Sequence, residues 1–174
     1  VAMNNAKLYV NREEGFIGTS LKRDEFVTDC SDIDDIIVFR KDGKMTVTKV
    51  DSKTFVGKDI IYVAVFKKKD KRTVYNFMYR DGSRGPSYMK RFNVTSVTRD
   101  KEYDLSNGNK GSIVHYFTAN LNGEAEAVTI NLRAVDSVKK LRWDIDFADL
   151  AVKGRAVRGN TITKYSIKSV DFKS

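Results

Sequence analysis

The chain has 174 residues, 41% of them hydrophobic, enough for a domain with its own core and too apolar for a disordered segment. No apolar run approaches the roughly 20 residues that cross a bilayer. The opening residues 1–7 lack the basic-then-apolar pattern of a leader, and Cys30, the single cysteine, leaves no internal disulfide, which suits a reducing compartment. The net charge of +9 is uneven, −1 over residues 1–60, +7 over 61–100 and +3 over 101–174, and such a local basic excess is what a polyanion-binding face requires.

Strand signals follow one another along the chain. Ile36-Ile37-Val38-Phe39 is a short β-branched run of a buried strand, closed by the turn residues Asp42-Gly43. Lys67-Lys68-Lys69-Asp70-Lys71-Arg72 is the densest charge run and is expected at a hairpin tip between two strands. From Thr73 to Tyr79 the pattern alternates, with Tyr75, Phe77 and Tyr79 on one face, and Asp81-Gly82 follows. Pro86 belongs at a strand start or edge, where its missing N–H costs least. The strand-like run 113–117 carries His115, the only histidine, expected as a packed or hydrogen-bonded residue. Asn122-Gly123 leads into 126–132, which puts Val128, Ile130 and Leu132 together. Ile145 and Phe147 then alternate with Asp144 and Asp146, and Gly159 marks a last turn. No stretch of 12 residues carries a helical stripe.

The turns are more informative than the strands. Asp-Gly and Asn-Gly suit tight hairpins because both residues tolerate positive φ. Gly43, Gly82 and Gly123 are spaced by 39 and 41 residues, Gly159 follows after 36, and Gly15 precedes Gly43 by 28. The stretch Phe39-Arg40-Lys41-Asp42-Gly43 also echoes Met78-Tyr79-Arg80-Asp81-Gly82. A period near 40 with about four strands per unit is the mark of a propeller blade, whose sheets need stacked neighbours to supply a core. The competing fold is a plain β-sandwich with chance turn spacing.

Catalytic and metal chemistry find little support. One Cys and one His make no zinc set. Asp32, Asp34 and Asp35 lack the spaced ligands and glycine of a calcium loop and read as a carboxylate-capped turn. Gly108 and Gly111 imitate a phosphate loop, but the spacing to Lys110 and Ser112 is wrong and no helix follows. A glycosidase would need paired carboxylates facing a cleft; Asp144 and Asp146 share a strand face, but Phe147, Ile145 and the basic surroundings mark them as outward acids.

Several segments carry a family resemblance. Tyr9-Val10-Asn11-Arg12-Glu13-Glu14-Gly15-Phe16-Ile17-Gly18-Thr19 resembles the first hairpin of the C-terminal domain of bacterial type IIA topoisomerase A subunits, closer to topoisomerase IV than to gyrase, in the form carried by Bacteroides-like bacteria. Lys22-Arg23-Asp24-Glu25-Phe26-Val27 is similar too. The stretch 34–44 matches that family's blade pattern of acid, apolar strand, basic-Gly turn and base. Tyr88-Met89-Lys90-Arg91-Phe92 resembles its strand end, and 153–160 another of its basic-Gly turns. The resemblance covers nearly the whole chain. It implies an all-β domain over 1–174, a β-pinwheel of about four blades or more, open or truncated as a ring, in which neighbouring blades exchange strands. The gyrase box Gln-Arg-Arg-Gly-Gly-Lys-Gly is missing after Lys22-Arg23 and after Lys90-Arg91, which argues against strong chiral wrapping.

The function implied is non-catalytic binding and bending of double-stranded DNA without sequence preference. The parent enzyme would be an ATP-dependent, magnesium-using topoisomerase of the cytoplasm, an isomerase. Its partners would be the B subunit and the remainder of the A subunit, with no membrane involved and no cofactor in this domain. The expected DNA contacts are Lys22, Arg23, Arg40, Lys41 and Lys44, then Lys67, Lys68, Lys69, Arg72, Lys90 and Arg91 as the densest patch, then Lys153, Arg155, Arg158 and Lys164. From the residues alone a protein-interaction propeller and a carbohydrate-binding β-domain stay open.

Overall fold

The structure, a computed structural model, describes residues 3–173 and is all-β apart from a single 3-10 turn at Phe147–Asp149. The chain draws a similar figure four times. The first repeat gives β1 (Ala6–Asn11), β2 (Phe16–Gly18) and β3 (Glu25–Cys30). The second gives β4 (Asp35–Arg40), β5 (Lys44–Lys49), β6 (Thr54–Phe55) and β7 (Ile60–Phe66). The third gives β8 (Val74–Arg80), β9 (Ser87–Asn93), β10 (Tyr103–Asp104) and β11 (Ile113–Asn120). The fourth gives β12 (Ala127–Leu132), β13 (Arg142–Asp146), β14 (Val152–Gly154), β15 (Asn160–Thr163) and β16 (Ile167–Phe172).

Each repeat opens with two antiparallel strands and closes with a strand that returns to pair with the first: β3 on β1, β7 on β4, β11 on β8, β16 on β12. Between these, the second, third and fourth repeats lend strands to the sheet before. β6 pairs with β2, β10 with β5, and β14 and β15 with β9. The sheets therefore run β3-β1-β2-β6, β10-β5-β4-β7, β11-β8-β9-β14 with β15 also on β9, and β13-β12-β16. This is the exchange between neighbours that a β-pinwheel requires.

Turn chemistry sets the hairpins. Gly15 (φ +86°) and Gly43 (φ +81°) turn β1 into β2 and β4 into β5 in a backbone region that L side chains rarely adopt. Two expected turns differ. Asn122-Gly123 joins β11 to β12, and those strands pair in different sheets, so it passes the chain onward instead of closing a hairpin. The charge run 67–72 is likewise no hairpin tip. It links β7 to β8, which also belong to different sheets, because each returning strand ends a repeat and the next strand must found a new sheet.

The chain divides into two compact units, Val1–Lys68 with Ser96–Leu105, and Lys69–Thr95 with Ser106–Ser174. The first has a core of Leu8, Val10, Ile17, Ile36, Val38 and Val63, joined by the buried thiol of Cys30, whose pKa burial pushes up. The second packs Met78, Met89, Val128, Ile130, Leu132 and Phe147. All of Val74–Tyr79 is buried, on both faces of β8, and Tyr75, Phe77 and Tyr79 share one face as expected. His115 is the extra residue where the β11–β8 register shifts between Val114 and Tyr116. Among the described residues no helix is long and apolar enough to cross a membrane.

Candidate nucleic-acid interface

The basic residues of the two units are used differently. In the first unit several hold carboxylates. Arg40 pairs with Asp42 (2.7 Å) and Glu102 (2.8 Å) and donates to the Val56 carbonyl oxygen (3.0 Å), with its side chain 13% exposed. Lys44 meets Asp104 at 3.0 Å, Arg12 meets Glu25 at 2.9 Å, and Arg99 meets Asp35 at 3.0 Å. The Arg12 guanidinium holds the Glu25 carboxyl below its ordinary pKa. Of the residues expected to contact DNA there, Lys22, Arg23, Lys41, Lys67 and Lys68 stand exposed, whereas Arg40 and Lys44 are occupied. The unit carries 14 Lys/Arg against 14 Asp/Glu, a net charge of zero.

The second unit carries 18 Lys/Arg against 9 Asp/Glu, so the whole +9 resides in it. Lys69, Arg72, Lys153, Arg158 and Lys164 are exposed and Arg155 is half-buried. Arg72 donates to the Asn122 side chain, and Arg158 donates to the Tyr88 hydroxyl at 2.8 Å with its guanidinium 5.2 Å from that ring's centre.

Lys90 and Arg91 depart from expectation. They are 3% and 7% exposed and face inward, so they offer no rim contact in this structure. The β8–β9 register sets Lys90 opposite Phe77, between the pairs Tyr75–Phe92 and Tyr79–Tyr88. Its ammonium lies 5.4 to 5.9 Å from the centres of the Phe77, Tyr79 and Phe92 rings. It donates to the carbonyl oxygens of Arg155 (2.8 Å) and Val157 (3.0 Å) in the lent segment, satisfying backbone acceptors between β14 and β15. Arg91 points to the other face, where it donates to Asn76 Oδ1 (2.8 Å) and the Gly123 carbonyl oxygen (2.9 Å).

Other motifs resolve into structure. The amides of the loop 107–112 turn to a carboxylate: Asp81 accepts from Asn107 N (3.0 Å) and from the Asn109 side chain. Asp34 accepts from Ser31 N (2.8 Å), the capped turn expected of the acidic cluster. The Tyr79 hydroxyl donates to Asn107 Oδ1 (2.6 Å), and burial pushes its pKa up to about 12. Several exposed bases of the second unit lay outside the expected set: Arg84, Lys110, Lys139, Lys140, Arg142 and Lys168. The cluster Lys139-Lys140-Leu141-Arg142 is a visible sequence signal for three of them. Lys139 and Lys140 form no ion pair among the described residues, which leaves their charge for an external anion, whereas Arg142 acts together with Lys173 on the Asp144 carboxylate.

The sequence profile of the family described as "Topoisomerase C-terminal domain, Bacteroidota" matches residues 7–174. The A subunit of DNA topoisomerase 4 from Borreliella burgdorferi (strain ATCC 35210 / DSM 4680 / CIP 102532 / B31) is 30% identical over 174 residues, covering 99% of this chain and 26% of that protein. The chain thus spans about a quarter of the length of this curated relative. A solved structure, "Crystal structure of the C-terminal domain of DNA topoisomerase IV", aligns with a TM-score of 0.46 and 12% identity over 98% of this chain and 62% of that one. The strand pairings, not this likeness, establish the fold. On the profile match the chain belongs to the topoisomerase C-terminal domain family of the Bacteroidota.

Proposed function

We propose that residues 1–174 act as a duplex-DNA-binding and DNA-bending domain without sequence preference, a non-catalytic part of the A subunit of a type IIA topoisomerase. The carrying observation is that the entire net charge of +9 belongs to one of the two units, while the other is neutral. Exposed Lys and Arg neutralise phosphates and release condensed counterions, which supplies most of the affinity. Such contacts position a duplex without reading bases. Their sum offsets bending, which costs on the order of 1–6 kcal/mol for a site of 20–30 bp.

A non-catalytic role is supported by the tyrosines best placed for comparison with a nucleophile. Tyr79 is buried with a raised pKa, and Tyr88, although beside Arg158, is 4% exposed. ATP and magnesium would be used on other domains. The protein partners would be the B subunit and the rest of the A subunit, in the bacterial cytoplasm at the nucleoid.

The test is a fluorescence-anisotropy titration of the chain with a duplex of about 40 bp and arbitrary sequence across a salt series. Binding should be micromolar or tighter at low salt and fall with a slope of roughly −0.9 per phosphate neutralised. A duplex affinity that ignores salt, or no binding at low salt, would remove this reading.

A further inference from the structure

The second unit holds a cavity that the duplex-binding reading does not use. It has a volume of about 380 Å³ and is lined by Leu132, Val138 and Trp143, with Ser137 and Thr163 supplying hydroxyls. Lys139, Lys140 and Tyr165 complete its wall, and the Lys164 ammonium lies 5.4 Å from the centre of the Tyr165 ring. No carboxylate lines it; Asp136 is exposed on the same loop but outside the lining.

Backbone hydrogen bonds pin the walls. Leu132 N donates to the Leu141 carbonyl oxygen (2.8 Å), Val138 N to that of Val135 (3.1 Å), and Arg133 N to that of Ser166 (3.0 Å). The first two brace the loop that carries the two lysines, and the third ties it to the turn that carries Tyr165. The pocket is therefore braced by backbone, with Leu132, Val138, Trp143 and Tyr165 as its apolar and aromatic lining and lysines as the only charged residues that line it.

A duplex keeps its base faces stacked inside and offers only phosphates to such a pocket. An unpaired strand offers both a flat π-face and a phosphate on either side. We infer that this cavity, lined by Trp143 and Tyr165 and rimmed by Lys139, Lys140 and Lys164, is a site for an unstacked base of single-stranded DNA. Stacking on an aromatic side chain is tolerant of base identity, and flanking cations follow the backbone. The volume falls in the range of pockets that accept small ligands and accommodates one base. An acidic peptide would match the charge but would make no use of the two aromatic rings in the lining.

Trp143 is the only tryptophan of the chain, so its emission reports on this cavity alone. The experiment titrates the chain with an oligothymidylate of about 12 nucleotides, a duplex of equal length and a polyglutamate peptide, all at one salt concentration, following Trp143 emission. The single strand should quench it saturably, with little change from the duplex or the peptide. Tyr165→Ala, and separately Lys139→Gln with Lys140→Gln, should weaken the single-strand response about tenfold, while Tyr165→Phe retains it. No response to the single strand, an equal response to the duplex, or a response to polyglutamate alone overturns the inference. Anisotropy of a labelled duplex, read in parallel, reports on the duplex-binding reading independently, so either can fail without the other.

Discussion

Lys90 shows how far charge can mislead at the scale of one residue. Its sequence neighbours Arg91 and Met89 make it look like part of a basic strand end, yet its ammonium is inside, bound to two carbonyl oxygens 65 and 67 positions away. A buried cation of this kind stabilises only while its acceptors stay matched, and removing one side leaves the other unsatisfied. Lys90→Met should therefore lower stability by about 2 kcal/mol in urea unfolding, with the salt dependence of DNA binding intact. If stability holds and the salt slope falls by about 0.9, Lys90 reaches phosphate after all. A charge in sequence says nothing about which face it takes; the β8–β9 register decides, and the acceptors lie in another repeat.

The elements divide into those whose signal is local and those whose signal is not. Gly43 and Gly82 were legible because turn chemistry is written into two adjacent residues, and the spacing of 39 between them exposed the repeat. The lent strands were not legible as elements. β6 is Thr54–Phe55 and β10 is Tyr103–Asp104, each two residues long, too short for any period. Their identity comes from pairing at long range, Phe55 with Phe16 and Tyr103 with Met45. Strand exchange was foreseen only through the family resemblance. Gly15 belongs to the same lesson, since it turns the first hairpin and also lets the chain at Gly57 pass close against it. A Cβ at Gly15 would collide with the Gly57 carbonyl, and its φ of +86° would strain any L side chain. Gly15→Ala should cost about 2 kcal/mol or more, read as a shift in the midpoint of thermal or urea unfolding. Wild-type stability in this variant would mean that the close approach at Gly57 relaxes freely.

Across the whole molecule the decisive quantity is how charge is shared between the units. Three windows along the chain place the excess at 61–100, whereas the structure sorts the charge as zero and +9 between the two units, and 96–105, folded with the first unit, brings Glu102 to Arg40 and Asp104 to Lys44. Changing Lys69, Lys153 and Lys168, exposed bases of the second unit outside the cavity, to Gln should reduce the salt slope of duplex binding by up to about 0.9 for each phosphate left without its cation. Changing Lys22, Arg23 and Lys49 to Gln should leave it nearly as it was. The opposite ranking in anisotropy titrations would place the DNA on the neutral unit.

Strand lending also bears on how the chain is made. A ribosome delivers residues in order, and the sheet begun by β1 and β2 lacks its last strand until Phe55 has emerged, the sheet of β4 and β5 until Asp104, and that of β8 and β9 until Thr163. Each nascent sheet thus waits with a bare edge for chain not yet synthesised, and an unpaired edge is a template for wrong partners. Pausing within 94–103 would prolong that exposure for β5, so translation speed there, and not only final stability, would govern the yield of folded protein.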